Sequence, residues 1–390
     1  MITGVRWPPD SAVRVLLLSA YAAHSHVHWQ RALLTMFPDW EWQVMSLPPR
    51  HFSWRVRGNP LYWSLEQRAQ LERHYDLLVA TSMVDLATLR GLVPPLCSVP
   101  ALLYFHENQF AYPQRPGQAS LLEAQMVSLY SALAADVLAF NSAYNRDTFL
   151  AGLDVLLRRL PDHVPPGIVA ALAGKARVLP VPVDPGEPAP PGGDWPGSGG
   201  DYPGRPLRLV WTGRFEYDKG GDTLWHALTG LERTGLPYEL ALCGQRFRSS
   251  PPIFARIEEG FSRRLVHVGY LPSVLEYRAL LRGADVVLST AHHEFQGLAV
   301  LEAVASGCLP AVPDRLAYPE IYPDEFRYPS SPEDPAQEGA AAAALICRLA
   351  GLIEEGTQAC PDVAPFGPAR MGPAYREVLQ ALAGRTATAG

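Results

Sequence analysis

Short runs of nearly uninterrupted apolar residues recur ten times along the chain and limit its fold more than any other feature. Five lie before residue 184: VRVLLLSAY, YDLLVAT, PALLYFHE, ADVLAFNS and ARVLPVPV. Five lie after residue 206: LRLVWTGRF, YELALCG, LVHVGYL, ADVVLST and CLPAVP. Runs without polar alternation fit strands covered on both faces, as in parallel sheets flanked by helices. Helical periodicity falls between them, for instance over 221–233 and 274–282. The expected class is α/β, with two Rossmann-like sheets binding ligands at the carboxyl ends of their strands. At 390 residues the chain exceeds what one core usually organises. Proline and glycine dominate residues 185–206, which read as a linker. The expected domains are therefore 1–184 and 207–365. A tail, 366–390, holds a last amphipathic helix that packs back on the first domain.

Composition narrows the setting. Hydrophobic residues make up 48% and charged ones 18%, as in soluble globular proteins. Cysteines 97, 243, 308, 347 and 360 form no C-x-x-C pair, and no secretory signal precedes them; reduced thiols in a cytoplasm are expected. The early apolar core Val15–Leu18 is too short for a signal sequence and abuts Arg14. The alanine-rich stretch 340–353 carries Arg348 and reads as a packed helix, so no membrane span is expected. A net charge of −6 speaks weakly against nucleic acid.

A zinc helix of the His-Glu-x-x-His type needs two histidines four apart. Gly297 stands four after His293, and His106-Glu107 is followed by Asn108, Gln109 and Phe110. No metal is expected. Residues 292–307, HHEFQGLAVLEAVASG, fit a different purpose. Apolar residues at Leu298, Val300, Leu301, Val304 and Ala305 have helical spacing, with Gly307 as a stop. Glu294 then lies in the loop before the helix and Glu302 about one turn inside it. The amides of Gly297, Leu298 and Ala299 are first-turn donors, reinforced by the helix dipole, and suit an anion such as phosphate. On these residues alone, a dipole-favoured acid and a solvated helix glutamate remain equally open. Arg214 and Lys219, in WTGRFEYDKGGD after the first strand of the second half, offer a guanidinium fork and a point charge, both suited to a diphosphate. Asp218 or Asp222 is a candidate cap for the following helix. Neither G-x-G-x-x-G nor a Walker pattern accompanies them.

In the first half, Ser25 and His26 follow the first strand, and His106, Glu107, Asn108 and Gln109 follow another. Asn141, Ser142, Tyr144 and Asn145 follow a third. LPPRHFSWRVRGNPLYWS interleaves Arg50, Arg55 and Arg57 with His51, Phe52, Trp54, Tyr62 and Trp63. Arginines neutralise phosphates and aromatics stack on unpaired bases; an amphipathic edge with snorkelling arginines is the alternative.

Strand–Gly-Arg…Asp-Lys-Gly–helix, then Leu242–Gly244, then Glu294-x7-Glu302 resembles the nucleotide-sugar half of GT-B glycosyltransferases, most closely the retaining enzymes of family 4. The resemblance implies two Rossmann-like domains facing a central cleft. Arg214 and Lys219 would neutralise the donor diphosphate, and Glu302 would hold ribose hydroxyls. Glu294 would contact the sugar, with Gln296, Gly297 and Leu298 on phosphate or sugar. Gly244 belongs to the same motif set, and Tyr270 and Leu271 match a base-contacting loop. With charge compensated this way, no metal is needed for the leaving group.

The first half is similar to the tRNA-queuosine mannosyltransferase family. The match rests on Ser25-His26, Arg50-His51-Phe52-x-Trp54-Arg55, Phe105-His106-Glu107-Asn108-Gln109 with Tyr112-Pro113, and Phe140-Asn141-Ser142-x-Tyr144-Asn145. In the second half it rests on His293-Glu294-Phe295-x-Gly297 and Tyr318-Pro319-Glu320. This resemblance implies mannose transfer from GDP-mannose to queuosine in a tRNA anticodon. It places Glu294 and His106 at the reacting centre, without identifying a nucleophile. Ser25, His26, Glu107, Asn108, Gln109, Asn141 and Asn145, with Arg50, Trp54, Arg55 and Arg57, would face the acceptor. Ala22-Ala23-His24 departs from a glycine pair in the animal members. Two other readings stay open: the same fold with another sugar nucleotide and a lipid, saccharide or small-molecule acceptor, and a non-catalytic RNA-binding module.

Overall fold

The computed structural model describes residues 12–111, 121–184, 195–197, 204–247, 249–357 and 359–384. In chain order its principal elements are β1 (Arg14–Ser19), α1 (His24–Met36), β2 (Glu41–Ser46), α2 (Phe52–Glu66), α3 (Arg68–Leu71), β3 (Leu77–Thr81), α4 (Leu86–Leu92), β4 (Ala101–Phe105), α5 (Leu122–Ala134), β5 (Val137–Phe140), α6 (Ala143–Arg159), α7 (Ile168–Gly174) and β6 (Ala176–Val178). They continue with β7 (Leu207–Thr212), α8 (Gly221–Thr234), β8 (Tyr238–Cys243), α9 (Pro252–Gly260), β9 (Leu265–Gly269), α10 (Val274–Gly283), β10 (Val286–Leu288), α11 (Leu298–Ala305), β11 (Leu309–Pro313), α12 (Tyr318–Ile321), β12 (Arg327–Tyr328), α13 (Pro335–Glu354) and α14 (Pro368–Ala383). The chain divides into two compact units, one of residues 1–182 with 368–390, the other of residues 183–367.

Each unit is a parallel sheet covered by helices. In the first unit the order is β2-β1-β3-β4-β5-β6; in the second it is β12-β11-β10-β7-β8-β9. Every strand pairing among the described residues is parallel. All ten apolar runs contain strands. Residues such as Leu16, Leu78, Leu103 and Leu138 in the first unit, and Leu209, Leu240, Val286 and Ala311 in the second, lose all contact with solvent. Two strands escape that pattern. β2 (EWQVMS) is outermost in its sheet and keeps polar residues at exposed positions, and β12 (RY) has only two residues, too few to form a run.

α13 is the one helix among the described residues long and apolar enough to cross a membrane by length and composition. It packs on α8: a Cβ at Gly339 would lie 2.5 Å from the His226 Cβ. Its Glu338 is fully buried and paired with Arg315, a charge placement that belongs to a protein core. α14 is held in the first unit by Tyr375. Its hydroxyl accepts from Trp29 Nε1 at 2.9 Å and sits 3.1 Å from the Tyr104 hydroxyl and the Leu179 carbonyl.

Most of the expected linker lies outside the described residues, as do Tyr112 and Pro113. Trp195 does not behave as linker. It is buried in the core of the second unit, and its indole N–H donates to Glu239 Oε2 at 2.6 Å. An indole body gains from burial as long as its one donor finds an acceptor, which a proline-glycine composition does not reveal.

Candidate functional site

Strand order in the second unit reverses between β7 and β10, and there a pocket opens at their carboxyl ends. Open α/β sheets bind ligands at such switch points, where neighbouring crossovers leave the sheet on opposite faces. Trp211 and Thr212 of β7, Ser289 to Ala291 after β10, Lys219, Glu294, Gly297 and Tyr318 line it. Lys219 Nζ lies 2.8 Å from Glu294 Oε2, 3.0 Å from the His293 carbonyl and 3.3 Å from Asp218 Oδ2. Burial disfavours the Lys219 charge, but Glu294 and Asp218 outweigh it and raise its pKa.

The loop carrying Glu294 is fixed from several sides. Thr290 Oγ1 accepts from the Trp211 indole at 3.1 Å and donates to the Lys219 carbonyl at 2.8 Å. The amides of His292 and His293 donate to the Asp218 carbonyl. Arg315 Nε and Nη2 donate to the Ala291 carbonyl at 3.0 and 2.8 Å, while the same guanidinium pairs with buried Glu338. The Tyr318 and Ser289 hydroxyls meet at 2.7 Å.

The helix start expected before Leu298 is present as α11. Gly297 caps it at φ +74°, and a Cβ there would lie 2.9 Å from the Tyr318 ring, so a side chain is excluded twice over. Glu302 sits inside the helix and accepts from the Tyr277 hydroxyl at 3.2 Å. Gln296 is buried and Leu298 half-buried. Arg214 is exposed and pairs with Glu216 at 3.0 Å. Neither Asp218 nor Asp222 caps α8, which starts from Gly220 without a side-chain cap. Asp218 turns to Lys219 instead.

Gly244 is required by packing. A Cβ there would lie 1.7 Å from the Gly213 carbonyl oxygen, and its amide is committed to Gly269. Tyr270 is exposed and Leu271 half-buried at the end of β9. The residues that sequence reasoning missed (Trp211, Ser289, Thr290, Ala291, Arg315) come from three separate strand ends. Only their convergence in space marks them.

In the first unit, His26 on α1 and His106 after β4 stack with ring centroids 4.0 Å apart. Both are buried, and none of their four ring nitrogens has a hydrogen-bond partner. Glu107 Oε2 stands 3.9 Å from His26 Nε2. Burial, then the neighbouring His26 and His28, holds the His106 pKa well below 6.5, so its imidazole is neutral. Ser25 is half-buried in the first turn of α1.

The asparagines have another duty. Asn108 Nδ2 donates to the Asn145 carbonyl and Oδ1, and Asn108 Oδ1 accepts from the amides of Phe110 and Ala111. Asn145 Nδ2 donates to Asn141 Oδ1 and the Phe105 carbonyl, and Asn141 Nδ2 to the His106 carbonyl. Asn108 and Asn145 each donate to another amide and Asn141 to the His106 carbonyl, so the three shape the loop that carries His106. Gln109 is buried beside them, its carbonyl accepting from Gln125.

The arginine-aromatic stretch forms α2, entered through His51 in the left-handed region. Arg50 and Trp54 are exposed, and Arg55 is half-buried. Arg57 pairs with Asp85 and with Glu123 at 3.3 Å, which anchors it within the unit. Among the described residues no three histidine, cysteine or acidic groups come together to hold a metal ion.

Residues 14–183 match the family model for the tRNA-queuosine alpha-mannosyltransferase N-terminal region. Residues 206–348 match the model for glycosyl transferases group 1. A Drosophila melanogaster tRNA-queuosine alpha-mannosyltransferase is 32% identical over 328 residues, 81% of this chain and 84% of the relative. The chain belongs to the tRNA-queuosine alpha-mannosyltransferase family. It is a glycosyltransferase with the GT-B fold, two Rossmann-like parallel-sheet units. The fold is shared with sucrose-phosphate synthase from Thermosynechococcus elongatus (TM-score 0.63, 16% identity, 95% of this chain and 100% of that one). It is shared equally with the Anabaena protein HepE solved with UDP and glucose (TM-score 0.63, 13% identity, 95% and 100%). Tyr318, in the Tyr-Pro-Glu match to the family, gains a place beside the pocket that its motif alone did not give.

Proposed function

We propose that this protein transfers mannose from GDP-mannose to queuosine in tRNA, with retention at the anomeric carbon. The observation that carries this reading is the similarity to the Drosophila enzyme across both units, together with a charged pocket at the switch point of the second. The alpha linkage in that relative's name matches the alpha configuration of a GDP-mannose donor, so the anomeric configuration is kept. Loss of GDP requires compensation of developing diphosphate charge. Arg214, Lys219 and the first-turn amides of α11 are the groups available for it, and we assign no metal to the step. Glu294 would meet sugar hydroxyls and Glu302 ribose hydroxyls. The leaving phosphate is a sufficient base for the acceptor hydroxyl, and no side chain is assigned as nucleophile.

In the first unit, His26 and the neutral His106 offer ring nitrogens without hydrogen-bond partners to hydroxyls. Arg50, Trp54 and Arg55 offer charge and a stacking surface to RNA. All five cysteines are free thiols, in keeping with a reducing cytoplasm where tRNA is found.

A panel of GDP-, UDP- and ADP-sugars, scored by tRNA-dependent release of nucleoside diphosphate, tests the reading. GDP-mannose should give release that requires queuosine in the tRNA. Release that is indifferent to tRNA, or largest with another nucleotide, would assign a different acceptor or donor.

A further inference from the structure

An ammonium has three N–H donors. Lys219 donates to Glu294 and the His293 carbonyl and forms an ion pair with Asp218, whose Oδ2 has no hydrogen-bond partner. These groups share the ammonium's charge, so a diphosphate oxygen gains that charge fully only by replacing one of them. The His293 carbonyl is main chain, in a loop fixed by Asp218 and Arg315. The Asp218 side chain is 6% exposed, and its backbone holds the same loop. The Glu294 side chain is 29% exposed, lines the pocket and is the partner able to leave. Charge leads to the same choice. Lys219 faces two carboxylates, and the nearby Arg214 faces Glu216, so a diphosphate entering without rearrangement meets no cationic excess.

We propose that Glu294 is an internal competitor for Lys219: in the empty pocket its carboxylate occupies the position a donor phosphate takes, and donor binding transfers the lysine to phosphate and the carboxylate to the sugar. The inference rests on the donor-site assignment above and deepens it. A sugar nucleotide supplies both new partners, a phosphate for Lys219 and hydroxyls for Glu294. A free nucleoside diphosphate supplies only the first and strands the carboxylate beside phosphate. The pocket therefore discriminates against its own product, and Glu294 returning to Lys219 assists the departure of GDP. No covalent step is involved.

The test compares GDP and GDP-mannose binding by calorimetry for the full-length protein and for Glu294→Gln, which keeps the shape and removes the charge. GDP should bind about 3- to 10-fold more tightly to the variant, from loss of one competing charge pair, while the preference for GDP-mannose over GDP shrinks. Glu294→Asp, with a carboxylate too short to keep the 2.8 Å contact, should move GDP affinity the same way and provides the measurement should Glu294→Gln fail to fold. The chain has only two lysines, Lys175 and Lys219, so 15N-lysine labelling gives two side-chain signals. Saturating GDP should shift the Lys219 signal and leave Lys175 in place. Unchanged or weaker GDP binding in folded variants, or an unmoved Lys219 signal at saturation, overturns the exchange and leaves the donor site standing. Failure of the wild-type protein to bind GDP, UDP or ADP at all refutes the donor site itself.

Discussion

The two units treat their buried polar groups in opposite ways. In the second, Lys219, Asp218, Glu294, Arg315 and Glu338 are paired within the protein, two cations against three carboxylates. In the first, His26 and His106 are stacked, buried and without a hydrogen-bond partner at any ring nitrogen. Charges cannot be left alone in a low-dielectric interior, whereas a neutral imidazole such as that of His106 can remain there at a far smaller cost. On the proposed reading, the donor rearranges internal ion pairs in the second unit, and acceptor hydroxyls meet the ring nitrogens of the first.

The largest effect should come from breaking the paired side. Lys219→Ala removes the cation and strands two carboxylates; transfer should fall about 10²–10³-fold, read as kcat at saturating donor. Activity within a few-fold of wild type would show that the ion-paired cluster is not the donor pocket. Next, Arg315→Ala leaves Glu338 charged and unpaired in the core. A loss of about 3 kcal/mol is expected, measured by urea unfolding of the second unit. An unchanged midpoint would mean that Glu338 finds water or another partner.

The unpaired side should respond more gently. His106→Gln should lower kcat/KM for the acceptor about 10- to 100-fold, the cost of one lost buried hydrogen bond, with GDP affinity unchanged. The same variant sharpens the pH contrast. His106 is held neutral in the folded unit, but in the unfolded chain it takes up a proton near pH 6.5. Its contribution to stability is thus full above pH 6.5 and is lost as pH falls below it. Wild type should lose stability between pH 7 and 5 more steeply than His106→Gln; equal slopes would show a solvated, protonatable ring. The smallest effect belongs to α2. Arg55→Ala should reduce the salt dependence of tRNA binding by about one counterion. Arg57→Ala, whose charge is already matched by Asp85 and Glu123, should leave it unchanged.

How far the sequence could be read follows the same physics. Strands covered on both faces announce themselves as apolar runs, and each of the ten proved to contain one; β2 and β12, at the sheet edges, did not. The helix start at Gly297 was legible because spacing along one segment predicts it, whereas the contact of Lys219 with Glu294, 75 residues apart, was not. Trp195 in the linker, the amide series Asn108–Asn145–Asn141, and the Arg315–Glu338 support for the Glu294 loop were not legible either. Each depends on which residues meet across distant segments, and polar residue type alone does not say whether a partner is solvent, ligand or another side chain.

The account stands or falls on the nucleoside recovered from tRNA. After incubation of queuosine-containing tRNA with the protein and GDP-mannose, digestion should yield queuosine heavier by one hexose, and the gain should vanish with Lys219→Ala. Queuosine of unaltered mass, from a folded protein that binds GDP, would contradict it.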